Sequence, residues 1–155
     1  MPHEEHPRPL DAGPVNVLFD VWLLSRAVNA LIDEAIRPGG LDADASAIYS
    51  VLASSESITP SELARWMSAP ATTVSSSVKR FEQRGHVERV PNPDDGRSRR
   101  LRLTASGRRV HRRAGELFAP ILARVEQRIG GDSNVIHGHL RDLHRIVHGV
   151  DSRDE

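Results

Sequence analysis

Residues 59–85 read TPSELARWMSAPATTVSSSVKRFEQRG, and this stretch decides the fold. Thr59 and Glu62 have the spacing of a capping box, with Pro60 at a position where no amide proton is needed, so a short helix is predicted to begin here. The apolar residues Leu63, Trp66 and Met67 are expected to share one side of that helix. Ser68-Ala69-Pro70 then ends it, because proline cannot continue the hydrogen-bond ladder.

A second helix is predicted over residues 71–84, ending at Gly85, a common left-handed stop. Val74, Val78 and Phe81 recur at helical spacing and are expected to face the core. The opposite side carries short hydroxyl side chains followed by cations, namely Thr72, Thr73, Ser75, Ser76, Lys79 and Arg80. A solvated helix face with no further role is the alternative interpretation.

After Gly85 the spacing of apolar residues changes from that of a helix to that of a strand. Residues 86–90 and 101–104 alternate apolar and polar side chains, which is typical of two strands covered on one side. Residues 91–96 are turn formers, so we predict a β-hairpin with a long charged tip. Thr104 is expected to cap a helix of about two dozen residues, which ends at the break Gly130-Gly131-Asp132-Ser133.

Long amphipathic helices flank this central region. Residues 15–37 carry an apolar stripe that stops at Pro38-Gly39-Gly40, and Asp42 or Asp44 can cap the helix that follows. The helix after Thr104 has a stripe formed by Ala114, Leu117, Phe118, Ile121, Val125 and Ile129, and the last helix has one formed by Ile136, Leu140, Leu143, Val147 and Val150.

The charge of the chain is zero overall but unevenly distributed. Residues 79–113 hold 12 Lys and Arg against 4 acidic residues, whereas residues 1–78 hold 4 Arg against 10 acidic residues. A local excess of positive charge of this size favours a polyanionic partner. A salt-bridged surface without a partner is the alternative.

Composition excludes several classes of protein. The chain has no cysteine, so disulfides, thiolate nucleophiles, Cys-ligated metals and thiol redox switches are ruled out. No apolar run approaches the length of a membrane span, and residues 1–14 lack the apolar core of a signal peptide. We therefore expect a cytoplasmic protein with a disordered N-terminal arm over residues 1–14, no membrane association and no cofactor.

The order helix, short turn, polar-faced helix and Arg-rich hairpin is that of a winged helix-turn-helix, whose second helix enters the DNA major groove. The predicted fold class is therefore mainly α with a small β-hairpin wing (α+β). Residues 42–104 are expected to be the DNA-binding domain. Short hydroxyl side chains let a helix lie deep enough to reach base edges, while Lys79 and Arg80 are placed to hold phosphates.

Two segments resemble the MarR family of bacterial transcription regulators. Residues 63–85 are similar to the paired helices of that family, although Pro70 stands where a Ser or Thr cap is usual. Asp95-Gly96-Arg97 followed by Leu101-Arg102-Leu103-Thr104 is similar to its wing signature. The resemblance implies that Arg97 enters the minor groove and that Asp95 steadies the loop, and Arg99 is expected to contact DNA beside Arg97.

The resemblance also suggests a use for the flanking helices, whose apolar stripes are too broad for one small domain to cover. In the family the first and last two helices interlock between two subunits. Residues 15–37 and 105–150 are thus expected to form a dimerisation region, so that a homodimer binds a near-palindromic double-stranded operator. The alternative is that these helices only add to the hydrophobic core of a monomer.

The function predicted from these features is a dimeric repressor released by a small aromatic or anionic effector. Trp22 and Arg26, one helical turn apart, are the candidate effector-binding pair. The competing interpretation is that Trp22 is a core residue and that Arg26 caps the acidic side chain of a neighbour. A metal-responsive regulator is the alternative function. It would use His137, His144 and His148, with His111, Glu116 or Asp142 as a possible further ligand.

Catalysis is not expected. Gly131-Asp132-Ser133 resembles the nucleophile segment of a serine-esterase family. A nucleophilic serine of that kind requires a strand-to-helix turn, whereas this tripeptide is predicted to lie between two amphipathic helices. The sequence therefore predicts a protein that is not an enzyme.

Overall fold

The computed structural model describes residues 16–150. The predicted arm over residues 1–14 and the predicted start of the first helix at Val15 lie outside the described residues. The chain divides into two compact units, with the boundary between Phe118 and Ala119.

The observed elements follow the predicted order. They are α1 (Val17–Ile36), α2 (Ala43–Ala53), α3 (Pro60–Trp66), α4 (Ala71–Gln83), β1 (Val87–Asn92), β2 (Asp95–Leu103), α5 (Ala105–Ile129) and α6 (Ser133–Val150), with 3₁₀ turns at Arg37–Gly39 and Gly130–Asp132. The predicted fold class, mainly helical with one β-hairpin, is confirmed.

Local capping explains where the helices begin. Asp42, one of the two predicted caps of α2, accepts a hydrogen bond from the Ala45 amide at 2.7 Å. The capping box of α3 is complete, because the Glu62 amide donates to Thr59 Oγ1 at 3.2 Å and the Thr59 amide donates to Glu62 Oε2 at 2.8 Å. That last bond is the main reason why the pKa of Glu62 lies below its ordinary value. Helix α4 begins after Pro70 without any side-chain cap.

The core lies in the first unit. Its most buried side chains come from α1 to α4 and from the inward side of the hairpin, and they include Ile36, Tyr49, Leu52, Leu63, Val78, Phe81, Leu101 and Leu103. Tyr49 and Phe81 meet edge to face with ring centroids 4.9 Å apart. This contact joins α2 to the apolar side of α4, so the buried face predicted for α4 is confirmed.

The hairpin is longer than predicted. β1 and β2 pair antiparallel from Val87 opposite Leu103 to Asn92 opposite Asp95, with an irregularity between Pro91 and Asn92. The long charged tip over residues 91–96 was therefore a wrong prediction, since only residues 93 and 94 lie between the strands. Near the tip both faces of the hairpin are largely exposed, so no alternation of apolar and polar residues could show the pairing there.

The prediction for Trp66 was also wrong. Leu63 is fully buried, whereas Trp66, expected on the same side of α3, is 72% exposed. Helix α3 has only seven residues and ends at Trp66. The side chain therefore lies at the end of a short helix, where a periodic pattern says little about which neighbours are within reach.

The second unit consists of the end of α5, the 3₁₀ turn and α6. Gly130 has a left-handed φ of 66°, which accounts for the predicted break in the helix. Large apolar side chains of this unit are exposed, namely Leu122, Val125, Val135, Ile136, Leu140, Ile146, Val147 and Val150. Within residues 16–150, no helix is both long enough and apolar enough to cross a membrane.

Candidate nucleic-acid interface

Helix α4 presents a continuous exposed face of hydroxyl and basic side chains. Thr72, Thr73, Ser75, Ser76, Lys79 and Arg80 are all exposed, while Val74, Val78 and Phe81 hold the opposite side in the core. The Ser76 hydroxyl donates to the Thr72 carbonyl at 2.9 Å. The guanidinium carbon of Arg80 lies 5.3 Å from the centre of the Phe81 ring, which is within range of a cation–π contact. The structure thus brings the six predicted α4 residues onto one surface.

The turn at the hairpin tip is organised by short side chains. The Arg97 amide donates to Asp95 Oδ1 at 3.0 Å. Asn92 Nδ2 donates to Ser98 Oγ at 2.7 Å, and the Asp94 amide donates to Asn92 Oδ1 at 3.2 Å. Asp95 therefore lies where the implied loop-steadying role requires, directly beside the Arg97 backbone.

The arginines of the hairpin divide into two groups. Arg89 pairs with Glu82 and Arg102 pairs with Glu88, each at 2.7 Å. Arg97 and Arg99 are exposed and have no carboxylate at ion-pair distance among residues 16–150. Arg100 also has a carboxylate at ion-pair distance, since its Nη2 lies 3.8 Å from Glu62 Oε2. Arg97 and Arg99, the two hairpin arginines predicted to contact DNA, are therefore the two whose charge is not already paired with a neighbour.

Arg100 has a structural position that the sequence did not indicate. Its Nε donates to Ser57 Oγ at 2.9 Å, and its Nη2 donates to the Ser57 carbonyl at 2.8 Å. Next to it, Ile58 and Leu101 exchange two backbone hydrogen bonds at 3.0 and 2.7 Å. These bonds fasten β2 to the segment between α2 and α3, and so fix the base of the hairpin relative to the paired helices α3 and α4.

Hydrogen bonds of His86 also hold the junction between α4 and β1 in place. His86 Nδ1 and the Tyr49 hydroxyl lie 2.8 Å apart and share a hydrogen bond. The His86 carbonyl accepts from the Thr104 amide at 3.0 Å, which joins the two ends of the hairpin.

Burial lowers the pKa of His86, with a further contribution from the positive charge of Arg84. Burial likewise lowers the pKa of His111, whose Nε2 lies 3.1 Å from Ser50 Oγ.

Because the pKa values of His86 and His111 are lowered in the folded protein, we expect it to lose stability under mildly acidic conditions. The folded state favours neutral His86 and His111, so the unfolded state binds more protons once the pH falls below the ordinary value of 6.5. The free energy of unfolding in urea should fall as the pH is lowered from about 7.5 to about 5.5. His111→Gln should reduce this dependence and the exposed control His139→Gln should not. An identical pH dependence in both variants would contradict the assignment.

The two candidate effector residues have different surroundings in the structure. Trp22 is exposed and stacks against Phe19, with ring centroids 5.8 Å apart. Arg26 instead lines a surface depression with Asn29, Asp33, Asp42 and Asp44. The effector role of Trp22 and Arg26 stays a prediction.

The candidate metal ligands are only partly brought together. His144 and His148 are in contact on α6, with ring centroids 4.3 Å apart, and His137 lies on the same face of that helix. Glu116 pairs with Arg113, and Asp142 pairs with Arg145. Within residues 16–150, no three His, Asp or Glu side chains form a group that could hold a metal ion.

Ser133 begins α6 after a 3₁₀ turn. The Gly131-Asp132-Ser133 tripeptide thus connects two helices, as predicted, and does not lie at a strand-to-helix turn.

Comparison with known proteins gives the same fold. The chain is similar to apo MarR from E. coli, at 20% identity and a TM-score of 0.72 over 84% of this chain and 98% of that one. It is also similar to the transcriptional regulator MOSR from M. tuberculosis in complex with DNA, at 24% identity and a TM-score of 0.75 over 88% and 98% of the two chains. A mutant of E. coli MarR complexed with operator DNA matches at 21% identity and a TM-score of 0.66 over 83% and 98%. No curated protein sequence matches the chain.

A family model matches the segment that contains α2, α3, α4, β1 and the tip of the hairpin. The matched residues are 40–98, and the model is that of the MarR family. The resemblance predicted from the paired helices and the wing is therefore confirmed: residues 40–98 match the model of the MarR family, and the solved structures with the same fold include regulators of that family.

Proposed function

We propose that this regulator is a dimeric repressor that binds a specific double-stranded DNA sequence and acts by occluding it. The observation that carries the proposal is the exposed face of α4, where hydroxyl groups are followed by Lys79 and Arg80, in the same compact unit as the unpaired Arg97 and Arg99. A surface that combines hydrogen-bonding groups with cations suits a ligand that carries both base edges and phosphates.

The proposed division of labour follows from side-chain length and charge. Thr72, Thr73, Ser75 and Ser76 are short enough for the backbone of α4 to approach base edges in the major groove. Lys79 and Arg80, about one turn further along, hold phosphates. Arg97, on the tip that Asp95 organises, enters the adjacent minor groove, and Arg99 contacts the backbone beside it.

The dimer is supported by exposed apolar surface in each unit. In the first unit, α1 exposes Val17, Leu18, Phe19, Trp22, Leu24, Val28 and Leu31. In the second unit, the exposed apolar residues are those of α5 and α6 given above. Large exposed apolar patches are unusual for a monomer, and the exposure of these side chains is accounted for if a second copy covers them. Two recognition helices would then contact half-sites about 10 bp apart.

The test compares two arginines of the same strand. Arg97→Ala should weaken binding to a selected duplex by about 1–3 kcal/mol, because it removes an unpaired cation from the wing tip. Arg102→Ala removes an arginine that is already paired with Glu88, and the loss should be smaller. Wild-type affinity should also fall steeply between about 50 and 200 mM salt.

Duplexes selected from a random pool and measured by fluorescence anisotropy provide the readout. Footprinting should show a near-palindromic site protected on both half-sites. Salt-independent affinity, or equal losses from Arg97→Ala and Arg102→Ala, would contradict the proposed wing contact. A single asymmetric half-site would contradict the dimer.

Release by a small aromatic or anionic effector completes the proposal, since a thiol switch is chemically excluded by the absence of cysteine. The second candidate is a metal-responsive regulator, favoured by the contact between His144 and His148. Zinc that tightens operator binding in the wild type but not in His144→Ala would favour that candidate over the effector.

A further inference from the structure

The direction in which the hairpin presents Arg97 depends on how the base of the hairpin is attached. β2 pairs with β1 along its length, and it forms a one-residue bridge to the segment before α3, between Leu101 and Ile58. From that bridge to the tip, the residues of β2 are exposed or half-buried. A two-stranded hairpin has little stability of its own. Its orientation relative to α4 is therefore decided by contacts near the bridge.

Arg100 adds side-chain hydrogen bonds directly beside that bridge. Its Nε donates to Ser57 Oγ at 2.9 Å and its Nη2 donates to the Ser57 carbonyl at 2.8 Å. Ser57 precedes Ile58 and Arg100 precedes Leu101, so side-chain and backbone bonds join the same two segments. Arg100 Nη2 also lies 3.8 Å from Glu62 Oε2, the carboxylate of the capping box that begins α3.

Arg102, two positions further along β2, has a different set of contacts. Its Nε donates to Glu88 Oε1 at 2.7 Å, across the strand pair. This bond joins the two strands of the hairpin to each other, whereas the bonds of Arg100 join the hairpin to a segment outside it. The Arg100 side chain is also the less exposed of the two, at 22% against 44%. Arg100 is therefore the one of these two arginines that is placed to control the direction of the hairpin.

A small rotation at the base is enough to displace the tip. Arg97 lies three residues from Arg100 on β2, which corresponds to about 10 Å along a strand. A rotation of about 10° at Arg100 would then move the Arg97 backbone by about 2 Å. Hydrogen bonds are lost over displacements of that size, because their donor–acceptor distances lie within a narrow range. The contact proposed for Arg97 thus requires a fixed base.

We propose that Arg100 is a positioning residue of the wing, whose bonds to Ser57 set the direction in which Arg97 is presented to DNA. Arg100 acts through Arg97 and does not contact DNA, since its donors are directed at Ser57 and its charge lies near Glu62. Its role in binding rests on the proposed contact between Arg97 and DNA. The attachment of the hairpin does not, so the two are tested separately.

Amide hydrogen exchange of the full ¹⁵N-labelled chain, measured without DNA, tests the attachment. The Ile58 amide donates to the Leu101 carbonyl, and the Leu101 amide donates to the Ile58 carbonyl. Arg100→Gln should speed exchange at both amides by about tenfold or more, because the charged hydrogen bonds beside them are lost. The Thr104 amide, which donates to the His86 carbonyl, is the internal control and should change by less than about twofold. Unchanged exchange at Ile58 and Leu101 would overturn the attachment.

A double-mutant cycle with the selected duplex tests the role in binding. Arg97→Ala should weaken duplex binding by about tenfold or more in the wild-type background. In the Arg100→Gln background the same change should cost less than about threefold, because Arg97 is no longer held in position. Arg102→Gln is the matched control, since it removes the same charge from the same strand, and it should leave the cost of Arg97→Ala unchanged. Equal costs of Arg97→Ala in the wild-type and Arg100→Gln backgrounds would overturn the positioning role.

Two further variants separate positioning from charge and from loss of folding. Arg100→Lys keeps the charge but loses the forked donor, so it should behave like Arg100→Gln in both measurements. Full recovery of duplex affinity by lysine would make Arg100 a phosphate contact and would overturn the proposal. Ser57→Ala leaves Arg100 in place and removes one acceptor, so it should produce the same changes at smaller size, even if circular dichroism shows that Arg100→Gln does not fold.

Failure of the proposed function gives a different pattern of results. If the wing does not contact DNA, Arg97→Ala leaves duplex binding unchanged in every background, while amide exchange still reports the attachment at Ile58 and Leu101. That pattern would overturn the wing contact and, with it, the role of Arg100 in binding. Additive losses from Arg97→Ala and Arg100→Gln would overturn the role of Arg100 alone.

Discussion

Replacing Ser75 with glutamate is expected to lower affinity for the selected duplex by about 100-fold or more. Ser75 is exposed on α4 within the hydroxyl and basic face, one turn before Lys79. A carboxylate there would face phosphates at close range and would also pair with Lys79 at the i,i+4 spacing, removing a cation from the interface. Like charges placed opposite each other cost several kcal/mol in an interface, which corresponds to at least two orders of magnitude in affinity.

Two matched variants separate repulsion from other effects. Ser75→Ala removes only the hydroxyl, so it should change which sequences are preferred more than it changes overall affinity. Gln127→Glu adds the same negative charge at an exposed position of α5 in the second unit and should leave duplex binding nearly unchanged. Anisotropy titrations at one salt concentration, with circular dichroism to verify folding, provide the measurement. Ser75→Glu with unchanged affinity would remove α4 from the proposed interface.

Gly107→Ala is expected to reduce the free energy of unfolding by about 1–3 kcal/mol, the usual cost of an added buried methyl group that does not fit. Gly107 lies in the first turn of α5, and a Cβ there would clash with the His86 carbonyl oxygen. The obstacle is backbone, so no side-chain rotation can relieve it. The start of α5 would have to move away from His86, whose carbonyl accepts the hydrogen bond from Thr104.

Gly115→Ala is the control for this effect. Gly115 is in the same helix, and a Cβ there would meet nothing within 4 Å in the structure. Alanine at an exposed helical position stabilises by up to about 1 kcal/mol relative to glycine. Urea unfolding of both variants at equal protein concentration should therefore give changes of opposite sign. A Gly107→Ala variant as stable as the wild type would show that α5 does not pack so closely on His86.

The paired helices could be predicted from the sequence because their signals are local. The capping box at Thr59 and Glu62 and the left-handed glycine at Gly85 each depend on residues only a few positions apart. The buried face of α4 is equally local, since Val74, Val78 and Phe81 follow one helical period. The six polar residues of the candidate interface were found for the same reason, as the complement of that buried face.

The tertiary structure alone decided the features that join distant parts of the chain. Arg97 and Arg100 lie on one strand and look alike in sequence, yet Arg97 is unpaired at the tip and Arg100 is bonded to Ser57, 43 residues earlier. The extension of the hairpin beyond the predicted strands depends on pairing between its own two arms in a region with no buried face. Trp66 was expected to share one side of α3 with Leu63, yet Leu63 is buried and Trp66 is 72% exposed at the end of that helix. Helical and strand periods report which side of an element is apolar, but contacts between elements depend on their packing, which no short stretch of sequence contains.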